Sequence, residues 1–115
     1  MTVVTYRINK NVALKRLEIA VGDKMTLEEA VRFEKEFQRN VASIDASTYT
    51  LEIDCTTMKV LNPDIADKLG GAMSLYKQAG FKTVEFTVKN DTTLKMQLKR
   101  IARSVGLTNA EVIDK

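Results

Sequence analysis

The segment from Tyr49 to Tyr76 constrains the fold of this chain most, because only a short polar turn there separates a strand pattern from a helix pattern. Apolar and polar residues alternate from Tyr49 to Asp54, which is the period of a half-buried strand. The only proline, Pro63, then suits the first position of a helix that we predict to run to about Ala79. Four residues at helical spacing are expected on the buried face of that helix: Ile65, Leu69, Met73 and Tyr76.

Strand and helix patterns also alternate on both sides of this segment. Thr26 and Glu29 have the spacing of a capping box, so we predict that Thr26 caps a helix from about Leu27 to Val41. A strand is predicted over Phe81–Val88, and a last helix is predicted from about Thr92 to Val105. Strand–helix units of this length favour right-handed crossovers between parallel strands.

The chain begins with two further strand patterns, Val3–Ile8 and Leu14–Val21, and Asn9–Asn11 between them can form a turn. A short terminal element is expected at Asn109–Ile113. The predicted order is therefore β-β-α-β-α-β-α in a mixed sheet. Because the strands alternate instead of being apolar throughout, we expect the helices mainly on one face of the sheet. The length predicts a single α/β domain over residues 1–115.

The glycines of the second helix pattern suggest two different roles. Gly80 stands where a left-handed C-terminal cap is expected. Gly70 and Gly71 fall inside the predicted helix, at a cost of roughly 1 kcal/mol each relative to alanine. We interpret this pair as a place where the helix approaches a strand or another helix closely, with a ligand contact as the alternative.

The residue types that usually carry catalysis are scarce in this chain. It contains no histidine, which is the commonest general base and metal ligand, and only one cysteine, Cys55. No thiolate or imidazole zinc site can be assembled from these residues. We therefore predict a protein that is not an enzyme and that uses neither a metal nor a cofactor.

The charge and hydropathy patterns bear on partners and location. No apolar run approaches the ~18 residues of a membrane span, and the first residues lack a signal-peptide core, so a cytoplasmic protein is expected. Lys95, Lys99 and Arg103, with Arg100 beside them, form a basic stripe on the last predicted helix. No aromatic residues interleave with these charges, so we interpret the stripe as solvated surface and expect no nucleic-acid partner.

The stretch from Leu51 to Asp64 resembles the central strand and switch turn of STAS domains, the module of sulphate-transporter tails and anti-sigma-factor antagonists. Asp54 matches the aspartate usual at the end of that strand, and Thr56 and Thr57 stand where the family commonly has serine and a small residue. Other motifs of the resemblance lie on either side: Gly22–Thr26, Val60-Leu61, Ala79-Gly80 and Arg100–Leu107. The resemblance covers about Leu14 to Leu107 and implies a STAS-like fold.

The switch turn itself departs from the family pattern. Where the family reads Asp-Ser-Ser/Thr-Gly, this chain reads Asn62-Pro63-Asp64-Ile65. Proline has no hydroxyl group, so the regulatory phosphate of the family cannot be placed at Pro63. The resemblance therefore implies a divergent member that lacks the phospho-acceptor serine, acting as a regulatory adaptor without that switch.

Two interpretations of the turn remain open. Asn62, Pro63 and Asp64 form a strong helix start, because Asn caps well, Pro suits the first position and Asp favours the helix dipole. Alternatively, the turn docks a protein partner, which could be anti-sigma-factor-like, kinase-like or a second copy. The predicted docking residues are then Asn62, Pro63, Asp64, Ile65, Thr56 and Thr57.

Other functions remain as alternatives. The chain could be a structural or assembly subunit of a stressosome-like or phage-like complex that uses the STAS-like fold only for packing. An enzyme would need a small-molecule pocket lined by Asp54, Thr56 and Thr57. The simpler interpretation is that Asp54 and Thr56 bond the backbone of the turn, while Cys55 packs as a small buried apolar residue.

Overall fold

The computed structural model describes residues 6–21, 27–56 and 63–114. The elements, in chain order, are β1 Tyr6–Asn11, β2 Arg16–Val21, α1 Leu27–Ala42, β3 Thr50–Asp54, α2 Pro63–Ala79, β4 Thr83–Val88, α3 Thr92–Ser104 and β5 Ala110–Asp114, with a short 3-10 helix, Ala46–Thr48, before β3. The prediction of a small α/β fold with a mixed sheet is confirmed, and the terminal element expected at Asn109–Ile113 is the strand β5.

The five strands lie in sequence order, β1-β2-β3-β4-β5. β1 pairs antiparallel with β2, and every later pair is parallel. Leu17, Leu51 and Val84 occupy neighbouring positions of one row across the sheet. Ile19, Ile53 and Phe86 form the next row on the same face. Alternation along each strand therefore gives the sheet one continuous apolar face.

The described helices cover that apolar face and enclose the core. Their buried residues join the two apolar rows in one cluster: Phe33 and Phe37 from α1, Leu69, Met73 and Tyr76 from α2, and Leu94, Leu98 and Ala102 from α3. The ring of Phe37 lies 5.3 Å from that of Tyr76 and 6.1 Å from that of Phe81, between centroids. Phe37 thus links α1 to α2 and to the residue that leads into β4.

The position of the first turn differs from the prediction. β1 continues through Asn9–Asn11, and the chain turns at Val12–Lys15 instead. The Asn9 side chain donates to Glu18 across the strand pair (Nδ2–Oε1 2.8 Å), so it stabilises the ladder. The Asn11 side chain accepts from the backbone N–H of Leu14 (3.1 Å), and Lys15 closes the turn with φ of 52°. Val3–Thr5 of the predicted first strand lie outside the described residues.

The helix ends agree with the sequence where the structure describes them. Gly80 follows α2 with φ of 77°, as predicted for a left-handed cap. α3 begins after Asp91, whose carboxylate accepts from the backbone N–H of Leu94 (2.9 Å). Sequence reasoning missed this N-cap, although aspartate before a helix pattern is the usual signal. Thr26, the predicted N-cap of α1, lies outside the described residues.

The expected close approach at Gly70 and Gly71 is not what α2 shows. A Cβ atom built at Gly70 would lie 3.7 Å from Ile101 Cγ2, an ordinary van der Waals distance. A Cβ atom at Gly71 would meet nothing within 4 Å among the described residues. Packing against the described residues therefore requires glycine at neither position, and among those residues the interpretation as a tight helix contact is wrong for Gly71.

Candidate functional site

Two described segments carry residues of the predicted docking site. β3 ends at Asp54, directly before Cys55 and Thr56, and α2 begins at Pro63. Both Pro63 and Asp64 are exposed. Pro63 is the first residue of the helix, where its fixed φ and missing N–H cost nothing. Asp64 places a carboxylate in the first turn, where the helix dipole favours negative charge.

The end of β3 is organised by a hydrogen-bonded turn. The carboxylate of Asp54 accepts from the backbone N–H of Thr56 (2.9 Å) and from the hydroxyl of the same residue (2.6 Å). This is the geometry in which an aspartate side chain closes a turn on the residue two positions later. The interpretation that a side chain bonds the backbone of the turn is confirmed for Asp54, whereas the Thr56 hydroxyl bonds the Asp54 carboxylate; both side chains are partly buried.

Cys55 points into the core and not into the turn. It has no exposed surface, and its backbone N–H donates to the carbonyl of Thr87 (2.8 Å). Burial, reinforced by the negative charge of Asp54, raises the pKa of the Cys55 thiol from 9.0 to about 12. The thiol therefore stays protonated at neutral pH, because a thiolate is disfavoured in apolar surroundings. Its packing as a buried apolar residue is confirmed.

Part of the predicted site cannot be placed next to these residues. Asn62 and Thr57 lie outside the described residues, as do the motifs Val60-Leu61 and Gly22–Met25. Ile65 lies in α2, but its side chain is not described. Of the predicted docking residues, the structure describes the side chains of three: Thr56 after β3, and Pro63 and Asp64 at the start of α2.

A second polar surface, which sequence reasoning missed, is the sheet face opposite the helices. The register places five polar residues in one row across all strands: Asn9, Glu18, Glu52, Glu85 and Glu111. Arg16 donates from Nη2 to Glu52 Oε2 (2.9 Å) and to Glu85 Oε1 (2.7 Å). The signal in the sequence was one glutamate at a polar position of each strand from β2 to β5. Only the register shows that these positions align.

The basic stripe lies on the helical side of the molecule. Lys99, Arg100 and Arg103 are exposed on α3, whose opposite side packs into the core. Lys95 is half-buried, and its ammonium group lies 3.4 Å from the Asp114 carboxylate of β5. α3 carries four basic residues and no acidic residue. Its exposed surface is therefore strongly positive, in agreement with the stripe inferred from the sequence.

Comparison of the chain with models of known protein families, with curated proteins and with solved structures gives no match. Within residues 6–21, 27–56 and 63–114, no group of three or more acidic, histidine or cysteine side chains could hold a metal ion. Across the described helices, no stretch combines the length and the apolar content needed to cross a bilayer. Local geometry is therefore the basis for any functional assignment.

Proposed function

We propose that this chain is a non-catalytic protein-binding module of STAS type that holds its partner at the carboxyl edge of the parallel strands. The contact surface comprises Pro63 and Asp64 at the start of α2, the adjacent Thr56, and the neighbouring Asn62, Ile65 and Thr57. The partner is a regulatory protein of the anti-sigma-factor or kinase type, and the module acts in the cytoplasm, where a lone thiol stays reduced.

The observation that carries this proposal is the exposed start of α2. Loops beyond the carboxyl ends of parallel strands are where open α/β sheets usually bind their ligands. Pro63 fixes the backbone there, so this segment loses little conformational entropy when a partner binds. Asp64 adds a fixed negative charge beside the position where the family resemblance would place a phosphate.

The chemistry of the neighbouring groups favours binding over catalysis. The Thr56 hydroxyl donates to Asp54, and the Cys55 thiol is buried with a raised pKa. A nucleophile needs an adjacent base or a lowered pKa, and the chain has no histidine to supply the base. The STAS resemblance adds support, because its strand and helix order agrees with the order from β1 to α3.

The proposal is tested by reversing the charge at the start of α2. We expect Asp64→Lys to weaken partner capture in an affinity pull-down from the source organism, quantified by mass spectrometry. The free energy of unfolding should change by only about 1–2 kcal/mol, because the charge is exposed in a first helical turn.

A matched control is Glu34→Lys, which reverses an exposed charge on α1, away from the proposed contact. The proposed partner is the protein that the wild type and Glu34→Lys both capture and that Asp64→Lys loses. If all three proteins capture the same set in equal amounts, the start of α2 is only a helix cap and the docking proposal fails.

A further inference from the structure

Two charged surfaces of the described structure, the open face of the sheet and the exposed side of α3, carry opposite signs and lie on opposite sides of the molecule. On the open side of the sheet, the strands direct five acidic side chains outward: Glu18, Glu52, Asp54, Glu85 and Glu111. Among the described residues of this face, Arg7 and Arg16 carry positive charge, so its described side chains sum to a net charge of −3, whereas the whole chain carries +3. None of the described helices packs on this face.

The acidic face has a shape that suits a basic side chain. The short side chain of Ala20 lies between Arg7 and Asp54 in register, which leaves a depression in the sheet surface. Glu18, Glu52 and Asp54 line this depression together with Arg7, so carboxylates outnumber the basic group by three to one. Carboxylates arranged in this way hold guanidinium or ammonium groups through charge-assisted hydrogen bonds.

The matching basic surface belongs to this same chain. Lys99, Arg100 and Arg103 project from α3 on the helical side, with the exposed thioether of Met96 beside them (60% exposed). Arginine and methionine are enriched at protein interfaces, and complementary potentials steer two surfaces together and fix their register.

We propose that the acidic sheet face of one copy docks on the basic α3 surface of a second copy. Since the two surfaces differ, the contact is head-to-tail, and each added copy presents a new acidic face or a new α3 surface. The assembly therefore grows as an open series of subunits unless the rotation between copies closes a ring. It uses neither Pro63 nor Asp64, so it is independent of the docking site proposed above.

The first test is the mass of the protein in solution, measured by light scattering after size exclusion at low and high salt. Exposed ion pairs weaken as the Debye length falls from about 10 Å at 0.1 M salt to about 3 Å at 1 M. We expect species larger than a monomer at low salt that dissociate in 1 M NaCl. A monomer at every salt and protein concentration overturns the proposal.

Two double variants then test the contribution of each surface to self-association separately. Glu18→Gln with Glu111→Gln weakens the sheet face while retaining the glutamates that Arg16 holds. Lys99→Gln with Arg103→Gln weakens the α3 surface. Each double variant should raise the dissociation constant of self-association about tenfold. Matched controls remove the same charges elsewhere: Glu34→Gln with Asp67→Asn, and Lys82→Gln with Lys89→Gln, all at exposed positions.

Mixing the two weakened variants gives the decisive result. Each retains one intact surface, so at a protein concentration between the wild-type and variant dissociation constants an equimolar mixture should form a one-to-one dimer that cannot grow, whereas each variant alone stays monomeric at that concentration. Circular dichroism confirms that both variants are folded. Assembly that persists in either variant alone, or a mixture that stays monomeric, overturns the proposal. Binding of polylysine to a wild type that remains monomeric also overturns it, because the sheet face would then serve a foreign basic partner.

Discussion

At the scale of single residues, the core holds two groups that ionise only in alkali, the Cys55 thiol and the Tyr76 phenol. Cys55 is fully buried and Tyr76 is 3% exposed. Burial raises the pKa of both groups, that of Cys55 to about 12. The folded chain therefore keeps protons that the unfolded chain would release in alkali, and this difference couples folding to pH.

We predict that the free energy of unfolding falls as the pH rises above about 9. The unfolded Cys55 thiol ionises near its ordinary pKa of 9.0, whereas the folded thiol stays protonated up to about 12. Each such group lowers the free energy of unfolding by about 1.4 kcal/mol per pH unit, over the pH range between its unfolded and its folded pKa. Urea unfolding at several alkaline pH values measures this slope.

The Cys55→Ala variant identifies the source of the slope. It lacks the thiol, so its stability should fall less steeply above pH 9, even though the lost side chain lowers stability at every pH. Tyr76 still contributes at higher pH, because burial raises its pKa as well. An identical slope in the variant and the wild type would show that the thiol is not the coupled group.

The glycines of α2 give a second prediction at the residue scale. Gly71→Ala should raise the free energy of unfolding by about 1 kcal/mol, because alanine is the better helix former and the new methyl group meets no described atom. Gly80→Ala should lower it, because φ of 77° strains a residue with a Cβ atom. Thermal unfolding of the two variants tests this, and equal shifts would contradict it.

At the scale of the elements, Arg16 connects three neighbouring strands on the open face of the sheet. It lies on β2 and contacts Glu52 of β3 and Glu85 of β4, which face each other in register. The three side chains are 28%, 19% and 18% exposed, so solvent screens their interaction only in part. Without the guanidinium group, two carboxylates on adjacent strands would repel each other.

We predict that Arg16→Gln lowers the free energy of unfolding by about 1–2 kcal/mol, with a smaller loss at high salt. Chemical denaturation at two salt concentrations measures both effects. In the double variant Arg16→Gln with Glu85→Gln, the repulsion is absent, so stability should partly recover. A double variant that loses the sum of the two single losses would show that the three charges are not coupled.

At the scale of the whole molecule, one connected core joins the sheet to the described helices α1, α2 and α3. Phe37 lies at its centre and is 1% exposed, in ring contact with Phe33, Tyr76 and Phe81. A substitution of Phe37 therefore disturbs the packing of α1, of α2 and of the residue that leads into β4.

We predict that Phe37→Ala lowers the free energy of unfolding by about 3–5 kcal/mol, because it leaves a cavity between packed elements. A single urea transition, seen alike by far-ultraviolet circular dichroism and by tyrosine fluorescence, should shift to lower urea as one unit. The neighbouring Gln38→Ala, at an exposed position of α1, should change stability by less than about 0.5 kcal/mol. Two separate transitions would contradict a single cooperative core.

The candidate docking site could be predicted only in part. Proline at the first helical position, and aspartate after it, are local signals that the chain shows without any tertiary contact. The sequence left two roles open for Asp54, and only the structure shows that its carboxylate bonds Thr56 and also borders the depression in the sheet face. The N-cap at Asp91 has an equally local signal, an aspartate directly before a helix pattern, but sequence reasoning missed it.

By itself, the sequence determined the alternation of strands and helices, the side of each element that is buried, and the start of α2 at Pro63. These follow from hydrophobic period and from capping chemistry, which act between residues close together in the chain. Only the tertiary structure decided the first turn at Val12–Lys15, the alignment of four glutamates across the sheet, and the ion pairs of Arg16. Register and strand order depend on contacts between residues far apart in the chain, and no local pattern specifies them.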